Sequence, residues 1–298
     1  MASNTKWALI TGVSAGGLGD ALAKELLTND INVIISGFHI KDLDYFTNGT
    51  TSKLEKVELD VTSTDSISSA VSLTQRITDG KLDMLINNAG YGYMMPLLDI
   101  DKESVRRNFD VNVFGLLEVT QAFFPFLQNA QGMVVNQASI AGLPNVCQPY
   151  IGSYSASKAA VIDLSNTMRV ELAPFGIQVV TLITGDVKTE FWNSTVSYNI
   201  GLPESSQYLP IQPKVEDMMR GKTNPPGQHM ADRWASAVVG DLLRSNPPVY
   251  SHRGYLATTM RIVSWILPVW LGDWLFTQSA DLDKLKTILG SEASKKDR

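Results

Sequence analysis

The stretch Thr11-Gly12-Val13-Ser14-Ala15-Gly16-Gly17-Leu18-Gly19 constrains this chain more than any other. It follows a short apolar run, Trp7 to Ile10, and opens a segment with helical spacing, Asp20 to Leu27. Glycines lack a Cβ, so they permit a tight turn and close approach of the backbone to a ligand. A helix N-terminus behind such a turn offers unpaired N–H groups and a favourable dipole to a diphosphate. A glycine cluster alone is just as often a flexible turn, and the strand before it and the helix after it give the pattern its weight.

The same alternation runs on down the chain. Apolar strand-like runs fall at Asn32 to Ser36, around Val57, Leu59 and Val61 (ending at Asp60), and at Met84 to Ile86. Others follow at Met133 to Asn136, Ile177 to Ile183 and Val249 to Ser251. Helical patterns fall at Thr64 to Ile77, with Thr64 as cap, and at Lys102 to about Leu127, with Pro125 in its last turns. Two more fall at Ser153 to Leu172 and Asp232 to Leu243. Strands alternating with helices predict an α/β fold, a doubly wound parallel sheet covered on both faces. Strands buried on both faces are continuously apolar, as Val33 to Ile35 and Val179 to Ile183 nearly are.

The 298 residues, 44% hydrophobic and 18% charged, suit one large domain with no need of a disulfide or metal staple. Lys and Arg are scattered over a chain of net charge −5, which argues against a nucleic-acid partner. The single cysteine, Cys147, has no internal disulfide partner and reads as a loop residue. His39, His229 and His252 are widely spaced and match no metal pattern. Asn4 to Lys6 run straight into the first strand without a signal-like segment. The expected location is intracellular, either cytoplasmic or peripheral on an internal membrane.

The chemistry-bearing segment is Tyr154-Ser155-Ala156-Ser157-Lys158, with Ser139 upstream. Tyrosine and lysine four apart on a helix share a face, one turn apart. A nearby ammonium favours the ionised phenol and is expected to lower the Tyr154 pKa. With a dinucleotide loop in the same chain, this points to hydride transfer with a nicotinamide. An acid at the tip of the second strand would bind the adenosine ribose and select NAD. Here the tip reads Ser36-Gly37-Phe38-His39-Ile40-Lys41, with neither acid nor arginine. Ser14, Ser36, His39 and Lys41 could accommodate a 2′-phosphate, so the expectation is NADP(H). Asp42 and Asp44 fall later and read as first-turn helix residues.

Taken together, the glycine loop, Asn87-Asn88-Ala89-Gly90, Ser139 and the Tyr154/Lys158 pair resemble the short-chain dehydrogenase/reductase family over about residues 5 to 255. The doubled Gly16-Gly17, the Ala21-Leu22-Ala23-Lys24-Glu25 helix start and the Leu271-Gly272-Asp273-Trp274 tail are similar to its fungal branch. That branch contains NADPH-dependent 1-acyldihydroxyacetone-phosphate reductases. The resemblance implies a Rossmann-type fold with Tyr154 as proton donor and acceptor. Lys158 would lower the Tyr154 pKa and hold the nicotinamide ribose, and Ser139 would bond the substrate oxygen. Asn112 would kink its helix and hold a relay water. It further implies cofactor contacts from Gly12, Ser14, Gly16, Gly17, Leu18 and Gly19. Asp60 and Val61 would touch the adenine, Asn88, Ala89 and Gly90 the ribose side, and Val187 and Thr189 the carboxamide. Family members pair through long helices, so a homo-oligomer is also implied. Thr184 stands in place of the usual proline, which predicts a less rigid loop, and the segment Leu143 to Tyr150 is longer than common.

Residues 189 to 228 carry Phe191, Trp192, Tyr198, Tyr208, Met218 and Met219 among prolines. They read as a lid insertion within a domain spanning 1–255, with Phe191 and Trp192 lining the substrate. The extension 256–298 holds the uncharged run Ile262 to Gly272, too short to span a bilayer. It can cap a pocket, lie at a membrane interface or pack on a partner subunit. The expected substrate is a hydrophobic ketone or secondary alcohol, either a lipid precursor or a secondary-metabolite intermediate. The rival reading is a non-catalytic dinucleotide sensor or scaffold on the same fold.

Overall fold

The computed structural model describes residues 6–146, 148–194, 200–222 and 228–296. Cys147 and Tyr198 lie outside them. The core is a seven-stranded sheet, every pair parallel, in the order β3-β2-β1-β4-β5-β6-β9. The strands are β1 (Trp7–Ile10), β2 (Asn32–Gly37), β3 (Leu54–Glu58), β4 (Met84–Asn87), β5 (Met133–Ser139), β6 (Gln178–Thr184) and β9 (Tyr250–Arg253).

The period of two in each strand divides the core into halves. Ala8, Ile10, Val33 and Ile35 face one layer, packed under α1 (Leu18–Thr28) and α8 (Ala231–Leu242) with Leu22, Leu26, Trp234 and Val238. Trp7, Leu9 and Ile34 face the other, under α2 (Thr64–Thr78), α4 (Gly115–Ala130) and α5 (Gly152–Leu172) with Ile67, Val119, Phe123 and Val161. Both faces being covered explains the unbroken apolar runs. The strand order reverses between β1 and β4, and the crevice at their carboxyl ends is where such sheets bind ligands.

Local chemistry moved several boundaries. Ser63, not Thr64, caps α2, its hydroxyl accepting the Ser66 N–H at 3.3 Å. The third strand lies earlier than Val57 to Val61 because Leu54 to Glu58 pairs with β2. Asp42 belongs to a four-residue 3-10 turn, Ile40–Leu43, which Asp44 closes. The long helix expected from Lys102 is α3 (Lys102–Phe109), a π turn at Asp110–Phe114 and then α4.

The insertion and the extension share a third apolar core. Val215 and Met219 of α7 (Gln212–Met219) pack with Tyr93, Met94, Tyr150, Ala280 and Leu285. Two short strands, β7 (Val187–Lys188) and β8 (His229–Met230), pair in parallel at the two ends of the insertion. The extension is helical: α9 (Ala257–Ile266), α10 (Val269–Ser279) and α11 (Leu282–Lys296). Among the described residues no helix is long and apolar enough to cross a membrane.

Phe123 is fully buried against Phe126, ring centroids 5.8 Å apart. Phe123→Ala is expected to cost about 3–5 kcal/mol of stability, read as a lower urea midpoint at unchanged slope.

Candidate active site

The glycine loop leaves β1 on a hydrogen-bonded frame. Thr11 N–H donates to Ile86 O and Val13 N–H to Ser36 O, at 3.0 and 2.7 Å. Gly12 has φ +65°, and a Cβ there would lie 2.5 Å from Ala89 Cα, so only glycine fits. Gly16, also at positive φ, turns the chain into α1, and its N–H donates to Asp20 Oδ2 at 3.3 Å. Gly17 is the N-cap residue of α1 and supplies no side-chain cap, leaving first-turn N–H groups for a ligand. Gly12, Ser14, Gly17 and Leu18 line the mouth of one cavity of about 720 Å³. A flat, glycine-edged cradle with free donors fits a dinucleotide diphosphate.

Other residues assigned to the cofactor stand behind that cradle. Asn88 Nδ2 donates to Thr11 O and Gly12 O at 2.9 and 3.0 Å, so its side chain braces the loop. Gly19 lies beneath it, where a Cβ would meet Asn88 Nδ2 at 2.7 Å. Ser36 is fully buried and donates to Ile10 O at 3.2 Å, so its hydroxyl is unavailable to a 2′-phosphate. That corrects the expectation for Ser36; Ser14, His39 and Lys41 are exposed. Val61 is a core residue pressed on Gly115, and the Asp60 carboxylate accepts from Thr62 N and Oγ1. Two residues that sequence reasoning missed shape this end. Asp20 ties Gly16, Lys24 and Tyr45 together, and Glu58 Oε2 accepts the Ile40 N–H at 3.0 Å.

Deeper in the same cavity are Gly90, Ser139, Tyr154, Lys158, Val187, Thr189, Phe191 and Trp192. Ser139 ends β5, and its Oγ accepts the Ala141 N–H at 3.1 Å. The Ser139 hydroxyl lies near enough to Tyr154 to pull its pKa down. Lys158, one turn along α5, is only 4% exposed. Its Nζ donates to Gln137 O at 2.8 Å and lies 5.8 Å from the Tyr154 ring centroid. Asn112 sits in the π turn, as its expected kink requires. Its amide is spent on Tyr91 N, Tyr91 O and Ser157 Oγ, so its side chain ties α4 to α5 behind the cavity.

The loop after β6 is held firmly despite lacking proline. Thr184 Oγ1 accepts from Gln137 Nε2 at 2.7 Å, and Gly185 N–H donates to Arg253 O at 2.9 Å. A Cβ at Gly185 would lie 2.0 Å from Tyr255 O. Where the family usually has proline, a side-chain hydrogen bond from Gln137 holds Thr184 instead. This loop also presents Asp186 to the cavity, a residue that sequence reasoning passed over.

The extension forms the far wall. Met260, Val263, Leu267, Leu275 and Phe276 line the cavity, while Trp265 and Trp270 turn outward, 80% and 70% exposed. The longer loop after β5 is tied to this wall, Asn145 Nδ2 donating to Ser264 O and Tyr150 OH to Ala280 O.

Burial governs the protonation chemistry. It pushes the Tyr154 phenol up to about 12, with Ser139 pulling down and the Asp186 charge pushing up. It pulls the Lys158 ammonium down to about 8. The expected depression of the Tyr154 pKa is thus absent among the protein groups alone, because desolvation outweighs the pull of the Ser139 hydroxyl.

A doubly wound sheet with a glycine cradle at its switch point and a Ser–Tyr–Lys cluster beside it is the build of a dinucleotide-dependent oxidoreductase. The sequence profile of the family described as short chain dehydrogenase matches residues 6–199, and the chain belongs to that family. The short-chain dehydrogenase fogD of Aspergillus ruber (strain CBS 135680) is 35% identical over 293 residues, covering 98% of this chain and 99% of that protein. The short-chain dehydrogenase ptmH of Penicillium ochrochloron is 36% identical over 280 residues, covering 92% and 97%. A solved short chain dehydrogenase from Burkholderia cenocepacia J2315, in complex with NADP, has TM-score 0.71 at 25% identity, covering 92% of this chain and 98% of that one. The protein is accordingly a nicotinamide-dinucleotide oxidoreductase for small carbonyl or alcohol substrates.

The depressed Lys158 pKa makes a signed prediction. The folded state holds the amine less protonated than the unfolded chain, so stability from this group rises with pH between about 8 and the ordinary lysine value. Below pH 8 the whole penalty is present. Lys158→Met should therefore raise the melting temperature at pH 7, by an amount equivalent to about 1–2 kcal/mol. That gain should shrink as the pH is raised toward 10, which thermal melts across the range will measure.

Proposed function

We propose that this chain interconverts a ketone and a secondary alcohol on an uncharged, hydrophobic substrate, using NADP(H) and the residues Ser139, Tyr154 and Lys158. One observation carries the reading: the neighbouring Ser139 and Tyr154 side chains line one apolar cavity that is continuous with the glycine cradle. Bound nicotinamide supplies or accepts the hydride at the substrate carbon. Ser139 donates a hydrogen bond to the carbonyl oxygen and stabilises the charge that develops there. Tyr154 O–H delivers the proton in reduction and receives it in oxidation. A neutral phenol poised high by burial is a competent donor, and a charged Lys158 steadies the phenolate left behind. Asn112 positions this apparatus by fixing Tyr91 and Ser157.

Several features support the finer assignments. Ser14, His39 and Lys41 remain exposed near the tip of β2, where no acid occupies the strand end, and this favours a 2′-phosphate. The NADP complex of the Burkholderia cenocepacia relative points the same way. Among the described lining residues Lys158 is the only basic side chain, while Asp186 and Glu190 are acidic. A phosphate ester would meet like charge there, so an uncharged apolar ketone suits the cavity better than an acyl-dihydroxyacetone phosphate. Phe191 and Trp192, with the α9 and α10 side chains, would hold its hydrocarbon. The outward face of Trp265, Trp270 and Trp274 suits peripheral contact with a lipid surface.

Titration with NADPH and NADH, followed by a screen of hydrophobic ketones, tests the reading. Tyr154→Phe should lower turnover by at least about 10³-fold while the NADPH dissociation constant changes little. An unchanged steady-state rate in that variant overturns the assignment. In flotation with neutral liposomes, the full chain should rise with the vesicles and a Trp265→Ser/Trp270→Ser variant should stay at the bottom.

A further inference from the structure

Asp186 is a carboxylate with a fixed root and, among the described residues, no side-chain partner. Its N–H donates to Tyr255 O at 3.0 Å, and its carbonyl accepts from Tyr255 N and His229 N at 3.0 and 3.3 Å. Gly185 before it is pressed on Tyr255 O, so the backbone has no room to retreat. The side chain lines the same cavity as Ser139, Tyr154 and Phe191. Among the described residues it makes no hydrogen bond or ion pair.

Asp186 is half-buried, and the two fully buried acids among the described residues are treated differently. Asp241 receives Ser251 Oγ, Arg253 Nε and Arg253 Nη2 at 2.6 to 2.8 Å, and pairs with Arg244 as well. Asp20 receives Gly16 N–H and Lys24 Nζ. A carboxylate partly withdrawn from water without such partners is costly, and this partial burial lifts the Asp186 carboxyl above its usual range. A group kept in that state, aimed into the cavity where substrate binds, finds its partner in the ligand. An anion is excluded by like charge. No group of three or more acids, histidines and cysteines that could hold a metal exists among the described residues. An ammonium would lose its hydration against Phe191, Met260 and Val263. A neutral O–H donor suits both the acceptor and the walls.

We propose that Asp186 accepts a hydrogen bond from a hydroxyl that the substrate carries near its reacting carbonyl, so that the pocket selects hydroxy-ketones over ketones lacking that hydroxyl. This deepens the ketoreductase reading and rests on it. A site built around a substrate hydroxyl discriminates strongly against its absence, because the buried acceptor is then left unpaired.

Matched hydroxy- and methoxy-acetophenones, substituted at each of the three ring positions, test the proposal with wild type, Asp186→Ala and Asp186→Asn. NADPH titration of each variant reports on folding and cofactor binding. In wild type the best hydroxy isomer should exceed its methoxy partner by about tenfold or more in kcat/KM, mostly through KM. Asp186→Ala should bring that ratio to about one, and Asp186→Asn, which keeps an acceptor oxygen, should retain part of it. A ratio unaltered in Asp186→Ala overturns the proposal. So does an Asp186→Ala variant whose main defect is weaker NADPH binding, which would assign the carboxylate to the nicotinamide. Equal rates of wild type on both series sink this inference alone, whereas no reduction of any ketone sinks the proposed function and this inference with it.

Discussion

A clasp between the ends of β1 and β4 underlies the site. The Thr11 hydroxyl accepts the N–H groups of Asn88 and Ala89, each at 3.0 Å, while the Asn88 amide returns two hydrogen bonds to Thr11 and Gly12. These bonds close the crevice where the strand order reverses. They also satisfy backbone groups that a glycine turn would otherwise leave exposed. With that frame fixed, Gly12 can lie flat against Ala89 and α1 can present uncapped N–H groups outward. Everything deeper in the cavity takes its position from strands that this clasp holds in register.

The chemistry-bearing groups are held at a cost. A buried phenol, a buried ammonium and an unpaired carboxylate occupy one apolar cavity, and each would be better hydrated outside it. The surrounding sheet, with strands buried on both faces, supplies the stability that lets such a cluster persist. Burial also sets the protonation states: Tyr154 stays neutral and ready to donate, and Lys158 lies close to the point of losing its charge. Conditions that bring a negative or strongly polar group beside Lys158 would restore its charge.

The sheet was legible because its strands are short, apolar and separated by helical spacing; β1 begins and ends where the pattern says. The Tyr154 and Lys158 pair was legible from residue type and spacing, and the place of Ser139 only through the resemblance to the family. The extension was not, since its α9 and α10 divide their apolar residues between a cavity wall and solvent, and neither side leaves a clean period. Ser36 misled because a polar residue at a strand tip looks free, whereas the sheet had already claimed its hydroxyl for Ile10 O. Asn88 lines the cavity, and its side chain also braces the glycine loop, a use that no spacing announces. Asp186 was passed over because a lone acid in a loop carries no pattern. Its meaning comes only from the absence of a counterpart among its described neighbours, which no spacing encodes.

The ties from Asn145 to Ser264 and from Tyr150 to Ala280 join the middle of the chain to residues more than a hundred positions later. During synthesis, strands β1 to β6 and the glycine cradle can assemble before α9 to α11 have emerged. The substrate half cannot, because its far wall and the anchors of the loop after β5 emerge later than the sheet. The nascent protein thus acquires the means to hold a dinucleotide before it acquires an enclosed chamber for the molecule to be reduced. A chain interrupted late in translation would keep the first capacity without the second.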